Sequence, residues 1–169
     1  MTRDNFDELF PIVDNEGRVI GSASRGKCHN GSKLLHPVVH LHIFDRQGRL
    51  YLQKRPDWKD IQPGKWDTAV GGHVDYGEDI ETALRREAAE EVGLADFKPT
   101  FLRRYIFESE REREMVNAYS TITDIIPTPS DEVADGRFWA PAEITAAIGR
   151  GVLTPNFEQE YTALFLSNK

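Results

Sequence analysis

The stretch of sequence that decides the fold is Gly72–Leu94, GHVDYGEDIETALRREAAEEVGL. It predicts a loop followed by one helix. Gly77 interrupts the extended chain ahead of the helix, while Glu78 and Asp79 bring negative charge to the helix N-terminus, where the helix dipole stabilises it. Gly93 follows the last residue of the pattern, and a glycine at that position commonly ends a helix.

Acidic residues lie on the face of this helix that should point to the core. At roughly 100° per residue, the apolar stripe consists of Ile80, Ala83 and Leu84. Glu87 and Glu91 fall on the same stripe, and Glu90 lies on its shoulder. Buried carboxylates are costly unless a cation meets them, and neighbouring ones repel each other. A bound divalent metal removes both costs, and carboxylate and water ligands suit Mg²⁺ or Mn²⁺.

The same charges have a simpler interpretation. Glu81 with Arg85, and Arg86 with Glu90, are i,i+4 pairs that can decorate a solvated helix without any further role. Two features favour the functional interpretation instead. The acids occupy the apolar stripe, and glycines flank the helix at fixed distances.

The stretch resembles the signature of the Nudix hydrolases, G-x5-E-x7-R-E-U-x-E-E-x-G-U, in which U is a bulky apolar residue. The matching positions are Gly72, Glu78, Arg86, Glu87, Glu90, Glu91, Gly93 and Leu94. The resemblance implies an α/β/α sandwich with a mixed central sheet and helices on both faces. Ala88 departs from the signature, because it is small where the family places Ile, Leu or Val, and this affects the expected local packing only.

Composition sets the remaining limits. With 169 residues, 39% of them hydrophobic and 29% charged, the chain is expected to form a single domain over residues 1–169. A net charge of -7 argues against a nucleic-acid partner. Cys28 is the only cysteine, and no export signal or membrane span is indicated, so we expect a cytoplasmic protein. The oligomeric state is open, with a homodimer as one candidate.

Strands and helices are expected to alternate along the chain, as an α/β layer fold requires. In the strand His36–Asp45, the pattern places His36, His40 and His42 on one face and Val39, Leu41 and Ile43 on the other. Other predicted segments are a hairpin at 8–24, a polar loop at 27–33, a hairpin at 36–55, a strand at 66–70, strands at 101–110 and 114–124, a turn at 135–136, and helices at 142–148 and from Pro155, capped by Thr154.

The histidines resemble those of a relative within the superfamily, isopentenyl-diphosphate isomerase. That enzyme binds a metal through two histidines seven apart, a histidine just after the glycine turn, and a Glu-x-Glu on a later strand. The matching residues here are His29, His36, His73, Glu112 and Glu114. The resemblance therefore implies a metal site built from these five. An exposed, mixed-charge loop is the alternative for residues 110–114, and REREM offers other registers.

The same relative supplies expectations for phosphate binding and a contrast in chemistry. Its diphosphate-binding cations correspond to Arg55 and Lys59, and a solvated loop is the alternative for Lys59. Gly71 and Gly72 would let the backbone approach the phosphates closely. In the isomerase a cysteine that transfers protons stands where this chain has Gly71, which has no side chain to move a proton.

The function expected is metal-assisted hydrolysis of a phosphoanhydride in a small-molecule diphosphate. Glu87, Glu90 and Glu91 would hold Mg²⁺ or Mn²⁺ against the diphosphate oxygens, and Glu90 or Glu91 would act as the general base. Arg86 would orient the carboxylates by pairing with Glu90 or Glu78.

Two other functions stay open at this point. One is isomerisation of isopentenyl diphosphate, against which Gly71 argues. The other is a sensor that binds a nucleotide or diphosphate without cleaving it, against which the intact acidic set argues. The group on the far side of the diphosphate cannot be chosen, because the motif contacts only phosphates and metal.

Overall fold

The computed structural model describes residues 8–58, 62–131 and 133–166. The elements follow this order: β1 Leu9–Val13, β2 Val19–Ser24, α1 Arg25–Cys28, β3 Leu35–Phe44, β4 Leu50–Lys54, β5 Trp66–Thr68, β6 Val70–His73, α2 Ile80–Val92, β7 Thr100–Glu108, β8 Arg113–Ile122, β9 Asp135–Trp139, α3 Pro141–Ala147, α4 Pro155–Tyr161, and a π-helical turn Thr162–Leu166. Within these residues no helix combines the length and apolar character needed to cross a bilayer.

The central sheet is built around β3. This strand pairs in parallel with β8 over its whole length and antiparallel with β6 over Val38–Leu41. β8 continues the sheet antiparallel to β7. On the other side β4 pairs antiparallel with β5 and β9, and meets β3 where Phe44 lies opposite Leu50. Parallel and antiparallel pairs together make the sheet mixed, as predicted.

Helix α2 covers one face of this sheet. Alternation along β3 turns Val39, Leu41 and Ile43 toward the helix, and all three are fully buried. The helix contributes Ala83, Leu84, Ala88 and Val92 to the same cluster, with Ile80 partly buried at its edge. The predicted apolar stripe is therefore confirmed, and the small Ala88 is part of the packing.

The opposite face is covered by α3 and α4. Leu50 and Leu52 of β4 pack there against Ile144 of α3 and Phe157 of α4. Thr154 caps α4, since its Oγ1 accepts a hydrogen bond of 3.2 Å from the Phe157 N–H, and Pro155 opens the helix as predicted. With helices on both faces, the structure is the predicted α/β/α sandwich.

Three local predictions were wrong. The polar loop at 27–33 begins inside a one-turn helix, α1, whose cap is the Ser24 side chain. The strand predicted at 66–70 is two strands, because β5 pairs with β4 while β6 crosses to pair with β3. Asp135 and Gly136 lie inside β9 rather than in a turn, and a side chain at Gly136 would overlap the Tyr51 ring.

Candidate active site

Arg86 fixes helix α2 to β6, the strand that contains Gly71 and Gly72. The Arg86 guanidinium donates two hydrogen bonds of 2.9 Å to the two carboxylate oxygens of Glu78. A third, of 3.0 Å, reaches the carbonyl of His73 in β6. These bonds raise the pKa of Arg86 and lower that of Glu78. Of the two partners predicted for Arg86, Glu78 holds it directly, while Glu90 lies at 3.7 Å.

Glu87 packs against β6 at Gly72. The backbone N–H of His73 favours the charged form of its carboxylate, and only 14% of the Glu87 side chain is exposed. A methyl group at Gly72 would overlap that carboxylate, so the glycine is needed to admit Glu87. Burial, with the charges of Glu90 and Asp75, outweighs the nearby Arg86 and raises the pKa of Glu87 to about 7.

Glu91 lies one turn further along the same face. Its Oε1 accepts a hydrogen bond of 3.3 Å from the Gln53 side chain, and the backbone N–H of Gly71 favours the charged form of its carboxylate. Burial and the neighbouring charge of Glu87 place the pKa of Glu91 well above its ordinary value. Glu90 is different, because 44% of its side chain is exposed. Two of the three helix acids therefore face inward, and the third lies on the shoulder.

A second cluster gathers the predicted histidines. The Nε2 atom of His29 lies 3.2 Å from that of His73 and 3.0 Å from a carboxylate oxygen of Glu112. Glu114 reaches within 3.9 Å of His36 Nε2 and 4.0 Å of His73 Nε2. Among the described residues, ligand atoms converge within 4.8 Å of one another in two triads, His29–His36–His73 and His36–Glu112–Glu114. Among the same described residues, Glu87, Glu90 and Glu91 of α2 do not form such a triad.

The tautomer of His36 suits a metal ligand. Its Nδ1 lies 2.9 Å from the carbonyl of Leu34, which can only accept, so the hydrogen is on Nδ1. Nε2 then carries a lone pair, is buried, and has no hydrogen-bond partner among the described residues. Burial lowers the pKa of His36 and of His73, and it raises that of Glu114 to about 7. Nitrogen and oxygen donors held this close fit a divalent metal.

A polar cavity of about 220 Å³ opens beside Glu91. Arg55 and Gly71, both predicted to bind substrate, line it together with Gln53 and Asp67. Arg55 is oriented by Asp67, whose carboxylate lies 3.7 Å from its guanidinium. Lys59, the other predicted cation, lies outside the described residues.

A third group of polar residues was missed at the sequence level. Glu160 of α4 is buried against the sheet, and its Oε1 lies 2.8 Å from His40 Nδ1. His42 Nε2 donates to the other carboxylate oxygen, and the Tyr105 hydroxyl donates to Oε1. His40 and Glu160 also line a second cavity, of about 270 Å³, with Phe107, Val116 and Leu164. One signal was available, because Glu160 lies between Phe157 and Tyr161 on the apolar face of its helix.

The chain is similar in sequence to known proteins. The sequence model of the NUDIX domain matches residues 34–157 of this chain. An uncharacterized Nudix hydrolase from Streptomyces coelicolor is 30% identical over 161 residues, which cover 94% of this chain and 88% of that protein. An isopentenyl-diphosphate Delta-isomerase from Agromyces mediolanus is 32% identical over 148 residues, covering 83% and 72%.

A solved structure has the same fold. The crystal structure of DR0079 from Deinococcus radiodurans superposes with a TM-score of 0.79 at 23% identity, covering 94% of this chain and 99% of that one. The likeness therefore extends over nearly the whole chain.

Proposed function

Because this chain belongs to the Nudix hydrolase family, we propose that it hydrolyses a phosphoanhydride bond in a small-molecule diphosphate with the help of Mg²⁺ or Mn²⁺. The observation that carries this proposal is the placement of Glu87 and Glu91. Both point inward beside β6, whose backbone N–H groups favour their charged forms, and Glu91 lines a polar cavity of about 220 Å³.

The donor chemistry at α2 fits a hard divalent cation. Burial raises the pKa of both inward carboxylates, which means that their charged forms lack sufficient compensation from the protein. Glu87, Glu91 and the more exposed Glu90 would hold the ion. When bound, a divalent ion neutralises charge on phosphate oxygens and makes a coordinated water more acidic.

The protein's own groups have separate tasks in this proposal. Glu91 takes up the proton of the attacking water, because it lines the cavity and a carboxylate can serve as a general base there. Arg55, oriented by Asp67, lines the same cavity and binds phosphate oxygens there. Gly71 leaves room for the phosphates beside the strand. Arg86 positions the helix through Glu78 and does not touch substrate.

The test is a panel of nucleoside diphosphates, nucleotide sugars, dinucleotides and prenyl diphosphates, assayed with Mg²⁺ and with Mn²⁺. A coupled phosphatase follows release of phosphate. We expect metal-dependent turnover of at least one compound by the wild type. Turnover that survives in Glu91→Gln would contradict the proposal, because the amide can neither accept the proton nor carry the charge.

We further propose that His29, His36, His73, Glu112 and Glu114 hold a second divalent ion. The unpartnered Nε2 of buried His36 supports this assignment, since an orphaned buried lone pair is costly without a ligand. Thermal unfolding with and without added Mn²⁺ tests it without relying on activity. The ion should raise the unfolding temperature of the wild type by a larger margin than that of His36→Gln.

A second candidate function is isomerisation of isopentenyl diphosphate. The cluster of three histidines and two glutamates favours it, as do relatives named for that reaction. The bare backbone at Gly71 argues against it, because no side chain stands there to move a proton. Incubation of the protein with isopentenyl diphosphate and a search for the dimethylallyl product separates the two functions.

A further inference from the structure

His40 occupies the boundary between the two cavities. Its side chain is 20% exposed and lines both the polar cavity beside Glu91 and the apolar cavity beneath α4. The ring also lies beside Gly71, where a methyl group would come within 3.6 Å of its Cδ2 atom and 3.9 Å of its Nε2 atom. The imidazole therefore borders the space that the proposed function reserves for phosphates.

The carboxylate of Glu160 fixes the state of this ring. Nδ1 of His40 donates to Glu160 across 2.8 Å, so the ring orientation is set and Nε2 is directed away from α4. Among the residues that the structure describes, none hydrogen-bonds to Nε2 of His40, although the atom is not enclosed. Glu160 itself is 3% exposed and is held in place by His42 and Tyr105.

Charge in the surroundings favours the cationic form of the ring. The acids that face it are Glu160 on α4, Glu114 on β8, Asp67 on β5 and Glu91 on α2. The other titratable or charged groups are Arg103 and Tyr105 on β7, Arg55 after β4, and His73 on β6. Burial disfavours the charged imidazole, but the ion pair with Glu160 outweighs it, and the pKa of His40 rises to about 9.

We infer that His40 is a further substrate-binding residue, which donates Nε2–H to a phosphate oxygen of the diphosphate while Glu160 keeps the ring charged and oriented. The inference deepens the proposed function, on which it rests, by adding to Arg55 a second cation that lines the same cavity beside Gly71. A buried ion pair that only attaches α4 to the sheet is the competing explanation, and the two differ in what happens at Nε2.

Binding of methylenediphosphonate to the full chain tests this inference, because its P–C–P bridge resists hydrolysis. With Mg²⁺ at neutral pH, calorimetry should show that His40→Gln binds the probe at least about tenfold more weakly than the wild type, the loss expected for a charge-assisted hydrogen bond. The advantage of the wild type over His40→Gln should shrink as the pH rises through about 9. In Glu160→Gln the affinity for the probe should begin to fall at a lower pH than it does in the wild type.

A matched control separates binding from packing. His42→Gln alters the other side-chain contact to Glu160 but touches neither cavity, and its amide can still donate to that carboxylate, so its affinity for the probe should fall much less than that of His40→Gln. Long-range ¹H–¹⁵N spectra of histidine-labelled protein add a direct readout. The Nε2 resonance of His40 should shift on addition of the probe, and that of His42 should not.

The inference is overturned if folded His40→Gln binds the probe like the wild type, if the His40 Nε2 resonance is unmoved while the probe is bound, or if the wild type does not bind the probe. A protein that binds the probe through His40 yet hydrolyses nothing in the diphosphate panel would defeat the proposed function and leave the binding role intact. A protein that hydrolyses a compound of the panel but does not use His40 to bind the probe would support the proposed function and defeat the binding role of His40.

Discussion

At the scale of single residues, the inward carboxylates of α2 lower the stability of the folded protein. Since the folded pKa of Glu91 lies well above its ordinary value, its negative charge opposes folding at any pH above that ordinary value. The family signature nevertheless places a glutamate there, which is understandable if the charge is needed for a cation and for proton transfer. Loss of function and gain of stability should therefore come from the same substitution.

Glu91→Gln tests this trade-off. In EDTA at pH 8 the variant should unfold at the same or a higher temperature than the wild type, because a neutral amide avoids the burial of charge. Its turnover with Mg²⁺ should fall at least about 100-fold, the size expected for loss of a general base. Glu90→Gln provides the comparison, and its exposed side chain predicts a smaller change in stability. A less stable Glu91→Gln would show that the carboxylate is structurally satisfied.

The two adjacent glycines make a second residue-scale test. Gly72→Ala places a methyl group on the Glu87 carboxylate, so the side chain must leave its site or the strand must shift, at a cost of about 1–3 kcal/mol. Gly71→Ala is the matched control for stability, since its methyl group would meet only ordinary contacts. Urea unfolding of both variants measures the difference. Equal stabilities would mean that Glu87 does not need the space above Gly72.

At the scale of elements, helix ends were predictable because their signals are local. Asp79 accepts the Thr82 N–H at 2.7 Å, and Gly93 adopts a φ of 69°, which few other residues tolerate. Both marks fall within four residues of the boundary that they define. The one-turn helix α1 was missed although Ser24 caps it, because four residues with a glycine among them show no helical period.

Asp79→Ala should therefore cost about 1 kcal/mol of unfolding free energy, since the N-cap oxygen is lost. Turnover per folded molecule should be nearly unchanged, because Arg86 and Glu78 still anchor the helix to β6. Asp79→Ser keeps a capping oxygen and should recover most of the loss. Urea titrations of the three proteins give the comparison, and equal loss in both variants would assign the effect to charge instead of the cap.

Strand partners were harder to predict than strand positions. The alternation in WDTAV indicates extended chain, but it does not say that β5 joins β4 while β6 joins β3. That switch depends on the twist of the whole sheet and on the turn between the strands. Gly136 illustrates the same limit, because the need for a glycine there is set by Tyr51, a residue far away in sequence.

At the scale of the whole molecule, the site divides into a part that the sequence indicates and a part that only folding assembles. The α2 acids and glycines lie within one short motif, so their proximity follows from helix geometry. The histidine cluster could be proposed only through resemblance, since Glu114 meets His36 across the parallel pairing of β3 with β8. No motif joins His40 to Glu160, which are 120 residues apart.

The His40–Glu160 pair should make global stability depend on pH. His40 has a folded pKa of about 9 against an ordinary value of 6.5, so its contribution is complete below about pH 6.5 and lost as the pH rises through about 9. The folded pKa of Glu160 lies below its ordinary value of 4.5, so its contribution is present above that value and lost as the pH falls further. The pair should therefore stabilise α4 on the sheet most strongly between about pH 5 and 6.5.

Urea unfolding of the wild type and Glu160→Gln from pH 5 to pH 10 measures this dependence. At pH 6 the variant leaves a buried imidazolium without its partner, and it should be less stable by about 3 kcal/mol or more. The difference in unfolding free energy between the two proteins should narrow toward pH 10, where the His40 ring of the wild type is neutral. Asp124→Asn, which breaks the exposed pair of Asp124 with Arg46, is the control and should show no comparable narrowing. A constant difference for Glu160→Gln would mean that its carboxylate acts through Tyr105 and His42 alone, with His40 neutral throughout.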